Sequence, residues 1–294
     1  MYKAVIFLFL SVLLFPVLCF GKVEFSINDS ITFGKEQMNN YLSLLLEYKP
    51  VSFSAGLYIS QIKSSTDVVR AVDLGCVFEL SKNISMNVGV SNYPETNNYR
   101  SNTFDLGINI RFPAVAKYLY TIIGAKYSAT AHWHKIYRPR LRTWEWRALG
   151  QKSYTVSLSQ DLPYNFYIHV DYSYYQYDQD VKLLTQQLER LMPYLRIGSL
   201  GTTAVLNIYG TVTSFPDKIY TLSIGNTITS CLDVSLSVSR VYYAVYADYM
   251  SSYVANVNLY LGKWIFSCGV SAQRLNENTD TISKYISLAA GYKF

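Results

Sequence analysis

Past its first 21 residues this 294-residue chain lacks any apolar run of the ~18 residues that would mark a membrane-crossing helix. Charge is scarce too, at 16 % of residues, against about a quarter in ordinary soluble domains. The net charge of +6 is thinly spread, which excludes a nucleic-acid-binding surface. Cys19, Cys76, Cys231 and Cys268 follow no metal-ligand or disulfide spacing, so neither a zinc site nor a stapled core is expected. Cys76 and Cys268 sit among Leu74, Phe78 and Phe266 and read as small hydrophobes. Helical periodicity is largely missing, and the 8 prolines fall mainly at breaks between segments.

Tyrosine is abundant instead: 28 Tyr against 14 Phe and 4 Trp. It favours strands, and its amphipathic ring suits a boundary between lipid and water. The dominant pattern is a period of two. Phe104, Leu106, Ile108, Ile110 and Phe112 alternate with Thr103, Asp105, Gly107, Asn109 and Arg111. Leu74 to Leu80 alternates with Asp73 to Glu79, and Leu232 to Val238 with Asp233 to Ser239. The same holds for Ile84–Ser91, Ser153–Ser159, Tyr253–Leu261 and the terminal Ile282–Phe294. Each is a strand with one apolar and one polar face. The polar face carries Ser, Asn, Thr, Gly and Tyr rather than the Lys and Glu of a solvated sandwich. Small hydroxylated residues fit the concave interior of a cylinder, and closure removes the edges that lipid forbids.

Met1–Gly21 reads as a secretory signal peptide: Lys3 is the basic start, Ala4–Phe15 the apolar core, and Cys19-Phe20-Gly21 the cleavage site. The alternative is lipidation at Cys19. Residues 22–294 then form one all-β domain, a transmembrane up-and-down antiparallel barrel. Tight connections at Lys49-Pro50, Ser81–Asn83, Pro113–Ala116, Asp161–Asn165 and Gly262-Lys263 alternate with polar ones. The polar ones are Asn92–Asn102, Thr130–Gly150, Asp178–Arg190, Ala244–Ser251 and Arg274–Asp280. This spacing predicts 16 strands, within a range of 12–16. Asp29 falls on the apolar parity of Val23–Phe33, which predicts a bulged or short first strand. Val181–Met192 spaces its apolar residues as a helix does and reads either as a loop helix or as part of a strand.

The leader, the alternation and the last strand together resemble bacterial outer-membrane β-barrel proteins of porin-like type. In that class an aromatic final residue, with apolar residues at alternate positions before it, is recognised by the barrel-assembly machinery. Ile286, Leu288, Tyr292 and Phe294 match that signal, and Lys284 departs from it. Lys152–Gln176 is similar to hairpins of fimbrial usher barrels, which are far longer proteins. The resemblance implies residence in the outer membrane, with its lipid and lipopolysaccharide as surroundings.

Parity assigns Asp73, Asp105, Arg111, Tyr167, His169, Asp171, Tyr260 and Tyr285 to the pore lining. His169, Asp171 and Ser173 share a strand face and suggest a hydrolytic triad. Residues two apart stand about 6.5–7 Å apart along a strand, however, which predicts that they do not bond to one another. His132 and His134 flank Trp133 without a third ligand nearby, and no metal or cofactor is expected. Ala131–Arg147 holds Lys135, Arg138, Arg140, Arg142 and Arg147 among Trp and Tyr. Two readings stand for it: a surface loop meeting lipopolysaccharide phosphates, or a constriction loop favouring anionic solutes. The functional expectation is a passive pore for small hydrophilic solutes and not an enzyme. The alternatives are a non-conducting barrel in surface assembly, export or adhesion, and lastly a membrane-embedded hydrolase. Deleting Phe294 is expected to impair membrane insertion while leaving secretion to the periplasm intact. Fractionation checks this, and wild-type membrane insertion of the truncated chain would refute it.

Overall fold

In the computed structural model the residues described are 23–34, 37–62, 68–96, 99–113, 120–138, 143–179, 181, 215–244, 249–275 and 282–294. The segment read as a signal peptide, Met1–Gly21, lies outside them, as do residues 182–192 of the ambiguous helical stretch. Fourteen strands follow one another: β1 (Glu24–Gly34), β2 (Gln37–Tyr48), β3 (Val51–Ile62), β4 (Val68–Ser81), β5 (Ile84–Thr96), β6 (Tyr99–Pro113) and β7 (Tyr120–Arg138). Then come β8 (Thr143–Asp161), β9 (Phe166–Tyr177), β10 (Pro216–Thr229), β11 (Leu232–Tyr243), β12 (Tyr249–Leu261), β13 (Trp264–Leu275) and β14 (Ile282–Lys293). Each pairs antiparallel with its chain neighbour, and β1 pairs with β14 to close the barrel. The closing register runs from Ser26↔Lys293 to Gly34↔Tyr285, and the Phe294 amide adds a bond to the Phe25 carbonyl at 2.8 Å.

Fourteen lies inside the expected range of 12–16 and two below the count of 16. The surplus came from treating polar stretches as connections. Asn92–Asn102 and Thr130–Gly150 are mostly paired strand: β5 and β6 match up to Thr96↔Tyr99, and β7 and β8 up to Arg138↔Thr143. Strand that stands clear of lipid has no need of an apolar face, so its hydropathy alternation fades while its hydrogen bonding continues. β9 and β10 pair directly with each other. β1 is a further correction. It runs 11 residues with unbroken register to both neighbours, neither bulged nor short. Asp29 faces outward in the middle of Phe25, Ile27, Ile31 and Phe33, and accepts a 2.9 Å hydrogen bond from Asn40 Nδ2 on β2, which shares that face.

Two kinds of observation establish which face is which. Large apolar side chains exposed on the surface, such as Phe104, Leu106, Ile108, Leu236 and Ile286, belong to one parity. On the other parity, side chains reach across an intervening strand over a glycine. Tyr41 on β2 meets Asp73 on β4 above Gly56, and Tyr167 on β9 meets Asp233 on β11 above Gly225. Side chains converge in this way only on a concave face. Two girdles of aromatics edge the outer band, as a bilayer boundary requires. One lies at the short-turn end, where Trp264, Tyr292 and Phe294 meet edge to face at 4.7 Å centroid spacings. The other lies towards the opposite end, in the chain of Tyr172, Tyr220, Tyr242 and Tyr249. A 12-residue strand tilted as barrels require is about 30 Å tall, enough for a hydrocarbon core.

Cys76 and Cys268 face outward and Cys231 lies in the β10–β11 turn; all three are free thiols. Gly225 shows how tightly the inner face is fitted, because an added Cβ would overlap the Tyr167 ring. Gly225→Leu is expected to destabilise the barrel by about 1–3 kcal/mol through overpacking. Urea unfolding in lipid vesicles measures this, and an unchanged midpoint would mean that Tyr167 does not lie across that glycine.

Candidate functional site

The interior of a 14-strand barrel is the candidate site. Strand spacing and tilt give a backbone radius of about 14 Å, wider than the ~8-strand barrels that side chains fill. All eight residues assigned to the lining by parity face this interior: Asp73, Asp105, Arg111, Tyr167, His169, Asp171, Tyr260 and Tyr285. The structure groups most of them into small polar networks rather than one centre.

On β2–β4, Tyr41 Oη donates to Asp73 Oδ2 at 3.2 Å, and the bare backbone of Gly56 makes room for both. On β6–β7, Lys126 pairs with Asp105 at 3.2 Å, and Ser128 donates to the same carboxylate. On β9–β12, Tyr167 Oη and Asn258 Nδ2 both donate to Asp233 at 3.4 Å. At the short-turn mouth Lys293 bridges Glu24 and Glu47, joining β14, β1 and β2 across the closing seam. Nearby, the Arg111 guanidinium lies 5.4 Å from the Tyr120 ring centre. At the opposite mouth His132 is buried and bonds to Gln151 at 2.6 Å. There Val181 and Phe215, the residues flanking 182–214, bury against the inward Leu149.

The β8–β9 network corrects an expectation. His169 Nε2 lies 2.8 Å from Asp171 Oδ2, so two inward residues on one strand do bond directly. The imidazole is long enough to swing along the strand and close the ~7 Å separation. The serine that joins them is Ser159 on β8, whose Oγ lies 2.6 Å from His169 Nδ1; Ser173 bonds instead to Thr155 at 2.8 Å. The carboxylate only accepts, so Nε2 donates to it, which leaves Nδ1 for the Ser159 hydroxyl. The order serine, histidine, aspartate is that of a nucleophile relay. A hydrolase also needs donors aimed at a developing oxyanion. The strand amides around Ser159 and His169 are committed to the β7–β8–β9–β10 ladders, so the backbone supplies none. The Ser159 partnership was beyond reach of single-strand spacing, since it depends on the cross-strand register Ser159↔His169.

Within Ala131–Arg147 the backbone of residues 131–138 and 143–147 continues β7 and β8 as paired strand that extends the wall. Arg140 and Arg142 lie outside the described residues, and for Lys135, Arg138 and Arg147 only the strand backbone is described. On the outward face of this hairpin Trp133 and Trp146 hold Arg100 between them, each ring centre 5.1 Å from the guanidinium carbon. The assembly-signal residues Ile286, Leu288, Tyr292 and Phe294 are also placed outward, on β14 and just past its end. No group of three metal-ligating side chains occurs among the described residues.

No family model and no curated protein sequence matches the chain. Solved structures do match it. Over 94 % of its length it superposes on CdiB from Acinetobacter baumannii with a TM-score of 0.52 at 8 % identity, spanning 60 % of that protein. A monoaromatic hydrocarbon channel, CymD, gives 0.49 at 9 % identity over 92 % of this chain and 87 % of its own. OprB of Pseudomonas putida gives 0.47 at 5 % identity over 92 % and 93 %. These likenesses are of fold alone: a closed β-barrel of the outer-membrane type.

Proposed function

We propose that this barrel is a passive pore of the outer membrane for small hydrophilic solutes. The observation that carries the reading is the continuity of the inner face. From Lys293 and Glu47 at the short-turn mouth, through Asp233, His169, Asp105 and Asp73, to His132 and Gln151 at the far mouth, polar and charged groups line the wall. Such groups are costly to bury without water or partners and suit a hydrated passage. Barrels of ~8 strands are narrow enough for side chains to fill, and 14 strands enclose a wider interior.

The outer face supports the location. Its apolar band and double aromatic girdle match a bilayer, with the short turns towards the periplasm and the longer connections outside. The terminal aromatic is the feature the assembly machinery would engage. Trp133, Arg100 and Trp146, standing outward above the band, suit contact with lipopolysaccharide phosphates. The Ser159–His169–Asp171 relay favours no hydrolase over a lining role, because the oxyanion donors are missing from the flanking backbone.

Planar-bilayer recording on the refolded barrel tests the proposal. Stable open steps whose conductance rises with salt concentration are expected. Silence from protein that shows the heat-dependent gel shift of an intact barrel would overturn it.

A further inference from the structure

The wall sorts its charges. Among the described residues below the upper hairpin, inward-pointing carboxylates are Asp73, Asp105, Asp161, Asp171 and Asp233, together with Glu24, Glu47 and Glu79 near the short-turn mouth. The inward cations there are Arg111, Lys126 and Lys293. Outward, the balance is reversed. Arg70, Arg100, Lys152, Lys218, Arg240, Arg274 and Lys284 stand on the lipid-facing parity, all towards the long-connection end; Asp29 is an outward carboxylate, and Asp217, at the β10 irregularity, lies 3.7 Å from Lys218. The chain as a whole carries +6. Below the hairpin, its described inner wall carries the opposite sign.

We infer that the pore passes small cations in preference to anions, a step that rests on the pore reading above. The inward carboxylates are spread around the circumference, on β1, β2, β4, β6, β8, β9 and β11, so their field reaches the axis from most sides. Lysines answer three of them within the described structure: Lys126 at Asp105, and Lys293 at Glu24 and Glu47. Asp73 and Asp233 are held instead by neutral donors, which keep the negative charge in place without cancelling it. At ~0.1 M salt the screening length of about 10 Å is comparable with the inner radius, so these charges set the ion content of the whole cross-section. A passage with walls of one sign and low dielectric concentrates counter-ions. The outward cations lie on the far side of the wall, at the level where anionic headgroups neutralise them. Net charge alone argues for anions and misleads, because the sign that matters is the sign of the inner face.

Reversal potentials of the full barrel in a KCl gradient test this. With about 0.1 M salt on the dilute side, the current is expected to reverse on the cation-selective side of zero. The ratio of cation to anion permeability should decline towards one as both sides approach ~1 M, where screening is complete within about 3 Å. The combined variant Glu79→Gln, Asp171→Asn and Asp233→Asn is expected to cut that ratio several-fold while conductance steps persist. Lys218→Gln, which alters an outward charge, should leave it unchanged. Open steps that reverse at zero or on the anion side would overturn the inference and leave the pore standing. Absence of steps from an intact barrel would overturn the pore reading and the inference together.

Discussion

Every backbone amide and carbonyl that this wall places in hydrocarbon must find its partner inside the protein, and the β1–β14 pairing is where that requirement is finally met. Without it, two strand edges of about a dozen groups each would face lipid unpaired. The seam is built from small residues on β14, Ala289, Ala290 and Gly291, which let the first and last strands approach in unbroken register. Its short-turn end is fastened twice. Inside, Lys293 joins Glu24 and Glu47; outside, the rings of Phe25 and Phe294 lie 5.3 Å apart. The last residue of the chain is therefore both an anchor at the membrane boundary and the clasp of the cylinder.

Closure forces a division between two environments one residue apart. Each strand must offer lipid an apolar side chain and the interior a polar one at every step. Asp29 and Asn40 break that rule together: a carboxylate in the lipid-facing band is tolerated because an amide beside it donates to it. On the inner side the rule also shapes packing. Gly56 and Gly225 stand where tyrosines lie down across a strand to reach a carboxylate, so the lining is a set of braced networks rather than a fringe of free side chains. Bracing fixes the position of the carboxylates, and fixed charge is what gives a passage its sign.

Much of this was legible in the sequence because the period of two is a local signal. Phe104–Phe112 and Ile282–Phe294 declare their faces without reference to any other part of the chain. Legibility failed where the physical cause was not local. The strand ends at residues 93–96 and 99–100, and at 131–138 and 143–147, rise out of lipid, so nothing compels hydrophobic alternation and they read as loops. Asp29 suggested a bulge, since its partner Asn40 lies on another strand at a register only the fold defines. The pairing of Ser159 with His169 is hidden in the sequence for the same reason. The sorting of charge between inner and outer faces was present residue by residue in the parities, and became visible only when all 14 strands were placed in one register.

The account stands or falls on the claim that alternate residues of one strand lie in water and in lipid. β12 is suited to the test, with Tyr253, Ala255 and Val257 outward and Val254, Asn256 and Asn258 inward. In a chain whose native cysteines have been replaced, each of these positions is changed singly to cysteine. The barrel in vesicles is then treated with a membrane-impermeant thiol reagent. The two-faced wall predicts labelling at 254, 256 and 258 and protection at 253, 255 and 257. Uniform labelling along the strand, or uniform protection, would contradict it.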